Sequence, residues 1–432
     1  MLQNNKGLLK YFVNTSWLFV ERIIRMFIGI FVGIWVARYL GPKEFGLLSY
    51  AQSFVGLFTI FATLGLDSIV VRELVKDGTN KNLIIGTAFC LKLMGAVITL
   101  AVLGAAVNLT SNDSSTNTLI FIIGSATIFQ SFNVIDFYFQ SIVLSRYVVF
   151  ANFISLAVSS IVKIFFILYE APLIAFAYVV VFDSLILSLG LIYFFVRHSA
   201  NTIKYLQFNK LCALDLLKNS LPLILSGGLL MIQAYIDQVM INEFLGSEEV
   251  GYYSVAIKLI AFFGFMPMIL KSSFFPAIQN AKNNSEEMYK ERLINFYRLN
   301  FLAFLLFAIP IFIFAEVIVV TLFGSEYAPA GIILALSAGR LLFANIGVAR
   351  SAYMLTENMM TYSMLTMLIG TAINIMLNLY FIPMWGSLGA IMATLISLFI
   401  TIFFIDIFYP KARKNLKWTL EGIFSIHKIY FN

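Results

Sequence analysis

Charge is scarce in this chain. Asp, Glu, Lys and Arg make up 12% of its 432 residues, against about 25% in a soluble domain. Hydrophobic residues reach 60% and mean hydropathy is +0.90. That balance excludes a water-soluble globular domain and a disordered chain alike. Cysteine and histidine are nearly absent, with two of each: Cys90, Cys212, His198 and His427. No zinc-ligand cluster, GxSxG or Walker A stretch occurs, so the sequence offers no handle for catalysis, ATP hydrolysis or a bound cofactor. Long polar segments are missing too. TSNDSSTN at 110–117 is too short to carry a catalytic loop domain.

What is present is long apolar runs, rich in Phe (44) and Gly (26). Runs of twenty or more residues recur throughout. They indicate an all-α integral membrane protein, not a barrel with its weak ten-residue alternation. The pattern predicts twelve helices, near 12–40, 45–66, 83–108, 118–138, 147–169, 173–196, 220–245, 250–277, 294–323, 328–354, 361–383 and 387–409.

The basic residues test that map. With the N-terminus inside, every loop lysine and arginine except Lys43 falls on the inner side, as the positive-inside rule requires. Both termini are then cytoplasmic and the number of spans is even. The first apolar stretch is broken by Glu21, Arg22 and Arg25. No small-residue cleavage site follows, so it is expected to be a retained helix and not a leader. The inner-side cysteines are expected to stay reduced. The basic inner surface needs no nucleic acid; anionic membrane lipid suffices.

One phrase occurs twice. Residues 40–51 read LGPKEFGLLSYA and residues 245–256 read LGSEEVGYYSVA. The match extends without a gap back to Asn14-Thr15 and Asn219-Ser220. Each copy is a helix, a tight outer turn and the start of a second helix. Gly41 and Gly246 suit the left-handed position past a helix end. Six helices separate the copies, so the halves share one orientation. The expected organisation is a six-helix bundle over 1–196, a cytoplasmic linker over 197–219, a second six-helix bundle over 220–409 and a cytoplasmic tail over 410–432. In such parallel repeats substrate binds between halves that rock.

The stretch NTSWLFVERIIRMFIGIFVGIWVARYLGPKEFGLLSYA resembles the opening of bacterial polysaccharide exporters, the Wzx-type O-antigen flippases, relatives of MATE-type exporters and peptidoglycan lipid flippases. GLDSIVVREL at 65–74, LFGSEYAPAGIILAL at 322–336 and NIMLNLYFIPMWGSLGAIMATLIS at 374–397 resemble the family as well. The resemblance implies two pseudo-symmetric six-helix bundles around a central cavity. It implies transfer of an undecaprenyl-pyrophosphate-linked oligosaccharide from the cytoplasmic to the outer leaflet of a bacterial inner membrane. A polysaccharide polymerase and a chain-length regulator are the partners it implies.

The expected spans carry ten bases and seven acids, a net +3. A charge on a lipid-facing helix centre costs about 2.5–3.5 kcal/mol on insertion scales. Arg22 and Arg25 share one face of helix 1, and Glu21 stands four residues before Arg25, the favourable order for a pair. Arg340 falls mid-helix, where snorkelling is hardest. Lys258 and Lys271 share helix 8 on different sides, with Pro267 between them. Arg350 lies nearer the inner end. These six cations are candidates for a pyrophosphate site, because guanidinium and ammonium groups offset the lost hydration of a twofold negative headgroup. Structural pairing is the competing reading for each. Glu21, Asp136, Asp183 and Asp237 are candidates for ion coupling, or for plain pairing with those cations. A MATE-type cation-coupled exporter shares the fold, but its cationic substrates favour an acidic cavity and these spans are net basic.

Overall fold

The computed structural model describes residues 2–76, 80–198 and 207–425, with side chains from Asn14 onward. The described residues are helical, with no strand among them. Ten segments are long and apolar enough to cross a membrane. Two of these hold a non-helical glycine: Gly41 in α1 (Leu2–Thr63) and Gly386 in α14 (Met360–Phe399). Each therefore joins two helices, which brings the ten segments close to the twelve expected ones. His427 and linker residues 199–206 lie outside the described residues.

Contacts divide the chain into two compact units. The first comprises 1–40 and 47–239; the second comprises 41–46 and 240–432. In the first unit α2 (Asp67–Lys76) is a short amphipathic helix, not a span. It sets Ile69, Val70 and Leu74 into a core with Ile84 and Ile85 of α3 (Lys81–Val107), Phe139 of α5 (Val134–Ser141) and Phe195 of α7 (Leu173–His198). α4 (Ser114–Gln130) starts on Asp113, whose carboxylate accepts from the Thr116 N–H at 2.9 Å. That bond satisfies one of the unpaired first-turn amides. α6 (Arg146–Leu168) completes the hairpin with α7. α8 (Lys210–Leu245) begins ten residues before the expected 220, inside the expected linker. Asn209 explains the early start: its side-chain oxygen accepts from the N–H groups of Leu211 and Cys212.

In the second unit α9 (Ser247–Phe263) and α10 (Phe265–Asn284) replace one expected helix. The break falls at Gly264, three residues before Pro267, where the proline ring disfavours a continuous helix upstream. Ser285 caps α11 (Glu286–Phe323), with Glu286 and Glu287 in the first turn matching the helix dipole. α12 (Ala330–Ser337) and α13 (Gly339–Thr356) divide the next expected helix at Ala338. The expected tail is partly a helix, α15 (Pro410–Phe424), opened by proline in its first turn. The core of this unit is aromatic: Tyr289, Phe296, Tyr297, Tyr353 and Trp418 are all buried.

The repeated phrase has a structural counterpart inside the second unit. Gly41 (φ 69°, ψ 173°) and Gly246 (φ 89°, ψ 178°) adopt the same left-handed, extended conformation. Only glycine takes it without strain.

Candidate functional site

Helix α1 supplies the first unit's cations. Glu21 is buried, and its carboxylate accepts from Arg25 Nε at 2.7 Å, the i, i+4 pair that the spacing predicts. The Arg25 side chain nevertheless stays 45% exposed, and Arg22 is exposed too. Both residues thus lie on the unit's surface, Arg25 paired with Glu21.

Other first-unit charges are locked in place. Lys92 is buried at 3% exposure, bonded to Asp67 at 3.2 Å and stacked 4.7 Å over the Phe137 ring. Its partner comes from α2, an element too short for hydropathy to reveal. Asp136 accepts from Gln140, one turn on, at 3.0 Å. Asp183 accepts from Ser155 across α6 and α7 at 2.6 Å. Asp237 is buried beside Gln238, which accepts from Ser53 at 2.8 Å.

Arg350 is buried and bonds Asp406 through two parallel contacts, Nε to Oδ2 at 2.8 Å and Nη2 to Oδ1 at 2.6 Å. Tyr362 donates to the same carboxylate at 3.0 Å. Asp406 is placed by a local change of winding: α14 passes through a π turn at Ile400–Phe404 and a 3-10 turn at Ile405–Ile407. Such turns reorient a side chain relative to a regular helix. The other three candidate cations have contacts of their own. Arg340 donates to the Tyr253 hydroxyl at 3.0 Å. Lys271 donates to Ser351 at 2.8 Å. Lys258 is exposed and lies 4.2 Å from the Phe45 ring centre. Arg340 lies two residues past the turn at Ala338 and near the middle of the long apolar segment Ala330–Thr356, as expected. Sequence reasoning missed Tyr253, which lies within the repeat's second copy, although Arg340 plus a nearby tyrosine hydroxyl is a common orienting pair.

Hydroxyls and rings hold a cation in place without cancelling its charge. A carboxylate cancels it. Arg350, held by Asp406, therefore contributes less to a local positive field than Lys271, held by Ser351. Among the described residues no group of three His, Cys, Asp or Glu side chains is arranged to hold a metal ion.

Spans, helical units and intramembrane cations define a multi-pass membrane protein with a transporter fold. The same fold appears in the lipid II flippase MurJ, inward closed, at a TM-score of 0.69 and 15% identity, covering 96% of this chain and 92% of that one. It appears as well in an inward-facing multidrug resistance MATE family transporter of the MOP superfamily, at 0.66 and 14%, covering 96% and 99%. A model of the family described as polysaccharide biosynthesis protein matches residues 12–280. The chain belongs to that family. A probable low-salt glycan biosynthesis flippase, Agl15 of Haloferax volcanii, is 25% identical over 168 residues, which is 38% of this chain and 35% of that protein. The chain thus spans about a third of the length of that curated relative.

Proposed function

We propose that this protein is a flippase for lipid-linked oligosaccharides, not an enzyme. Its substrate in this reading is an undecaprenyl-pyrophosphate-linked repeat unit of O-antigen type. The direction is from cytoplasmic to outer leaflet of a bacterial inner membrane, with both termini cytoplasmic and alternating access as the cycle. Bundles over 1–196 and 220–409, joined through 197–219, are the moving bodies of this reading. A polymerase and a chain-length regulator would take the product onward.

The observation that carries the reading is Lys271, a cation on a span helix whose Nζ donates to the neutral Ser351 hydroxyl. Arg340 donates to the Tyr253 hydroxyl. Oriented cations on span helices fit a dianionic pyrophosphate, whose oxygens accept charge-assisted hydrogen bonds. They disfavour the organic cations of a drug exporter. Arg22, Arg25 and Lys258 belong to the same proposed set, each of them exposed. Arg350 is its weakest member, since Asp406 already holds it. Glu21, Asp136, Asp183 and Asp237 are proposed as structural partners first and as proton carriers second. The polyprenyl tail stays in lipid, so only the headgroup must be desolvated. The family match and the Haloferax volcanii relative, a probable glycan biosynthesis flippase, support a glycan-bearing substrate.

Binding by the purified protein tests this. Undecaprenyl-pyrophosphate oligosaccharide should compete with a labelled copy of itself at least tenfold better than the monophosphate lipid does. Tight binding of an organic cation, with no competition by either lipid, would move the protein to the drug-exporter class.

A further inference from the structure

Helix α15 is fastened to the second unit by one face. Trp418 packs edge-on against Tyr289 and Tyr353, with centroids at 5.7 and 6.0 Å. Asn415 accepts from the Tyr297 hydroxyl at 2.8 Å, and the Lys411 carbonyl accepts from Tyr353 at 2.8 Å. Gly422 lies against Tyr297 so closely that a Cβ there would sit 2.7 Å from the tyrosine Cβ. Ala412, Asn415, Trp418, Thr419 and Gly422 are all buried. The helix is therefore held in a fixed rotation about its own axis.

That rotation decides what the opposite face shows. Arg413, Lys417, Leu420 and Phe424 are exposed, and at 100° per residue they share a sector about 60° wide. Phe424 is 80% and Leu420 39% exposed. The last candidate span ends at Ile407, three residues before the helix begins. Between them Phe408 (68% exposed) and Tyr409 (40%) form an aromatic step. Arg413 Nε donates back to the Ile407 carbonyl at 2.8 Å, tying the start of α15 to the end of the span. The helix consequently begins where hydrocarbon gives way to headgroups.

Exposed apolar side chains beside lysine and arginine, on a helix held at a membrane boundary, suit one partner. We infer that α15 is an interfacial helix whose outward face binds anionic phospholipid headgroups through Arg413 and Lys417, with Leu420 and Phe424 entering the acyl boundary. This is independent of the transported substrate, because α15 is separate from every cation proposed to hold it. Lys414 is excluded from the lipid set: it pairs with Glu286 and covers Trp418 at 4.8 Å.

The full-length protein in neutral detergent tests the inference. Its thermal unfolding midpoint is followed against added phosphatidylglycerol, phosphatidylcholine and inorganic phosphate. Phosphatidylglycerol should raise the midpoint, and the other two should not. Lys417→Gln should move the phosphatidylglycerol response to about fivefold higher concentration, the worth of one cation near an anionic surface. Adding Phe424→Ser should weaken the response further. Both side chains are exposed, so the midpoint without lipid should stay put; if the double variant unfolds, Lys417→Gln alone decides. An unchanged response in that variant, or an equal rise with inorganic phosphate, overturns the proposal.

Discussion

Gly251 lies so close to the Pro42 carbonyl that a Cβ on it would stand 2.1 Å from the oxygen. The relationship is reciprocal: a Cβ on Gly46 would stand 1.7 Å from the Ser247 carbonyl oxygen. Pro42 and Ser247 are the same position of the repeated phrase, and so are Gly46 and Gly251. The two turns therefore cross backbone to backbone about a local twofold relation within the second unit. Gly46→Ala and Gly251→Ala should each destabilise the purified protein by about 1–3 kcal/mol, the cost of overpacking. Gly246→Ala meets nothing within 4 Å and should cost about 1 kcal/mol from its left-handed backbone alone. Unfolding midpoints in detergent check the order; three equal losses would contradict the crossing.

Joining the two turns tests the proposed cycle. Cysteines placed at Pro42 and Ser247, in a chain with Cys90 and Cys212 replaced by serine, should cross-link on oxidation. Transport should stop when the link forms and return on reduction. Full transport with the link intact would remove rocking at these turns from the cycle.

Arg350 and Asp406 form a buried ion pair. Removing one partner leaves a buried, unpaired ion, so Arg350→Met or Asp406→Asn should cost about 3–5 kcal/mol. Arg350→Met with Asp406→Leu should recover most of that loss, since a buried pair is often replaceable by apolar residues. Transport by the recovered double variant at near wild-type rate would place Arg350 outside the substrate set; loss of transport with stability restored would place it inside.

Val143 has a φ of 57°, in the region that costs a β-branched residue about 1–2 kcal/mol. The Leu144 N–H donates to the Phe139 carbonyl at 2.9 Å, so the residue closes a helix-terminating turn. Val143→Asn should raise stability by roughly 1 kcal/mol. An unfolding midpoint that falls would show that packing of the valine outweighs the strain.

Asp113 tests a cap outside the spans. The Thr116 side chain and N–H donate to its carboxylate and hold it below the usual carboxylate range. Its contribution is fully present above the unfolded value near pH ~3.9 and is lost as pH falls through the lower folded value. Asp113→Ala should cost about 1 kcal/mol at neutral pH. The difference from wild type should shrink toward pH 3 in paired denaturation curves.

Hydropathy made the helical membrane architecture legible. The repeat marked two turns that the structure shows in one shared conformation. What stayed hidden depends on short or non-periodic features. α2 is ten residues long and amphipathic, so no apolar run announces it, yet it brings Asp67 to Lys92. The π turn before Asp406 changes the helical phase, so wheel arithmetic from the sequence could not aim that carboxylate at Arg350. The turn at Ala338 was not legible, though Arg340 stays near the middle of the segment Ala330–Thr356 as expected. The Glu21–Arg25 pair was legible because it is local, and i, i+4 spacing sets its geometry directly.

The proposal that span cations hold a lipid-linked pyrophosphate is open to direct measurement. The purified protein in liposomes, supplied with an undecaprenyl-pyrophosphate oligosaccharide, is the most direct test. Wild type should transfer the lipid between leaflets, and Lys271→Gln, Arg340→Gln and Arg22→Gln with Arg25→Gln should each slow transfer about tenfold or more, the worth of one charge-assisted hydrogen bond. Wild-type liposomes that leave the lipid where it was placed, or folded variants that transfer it at the wild-type rate, would contradict the account.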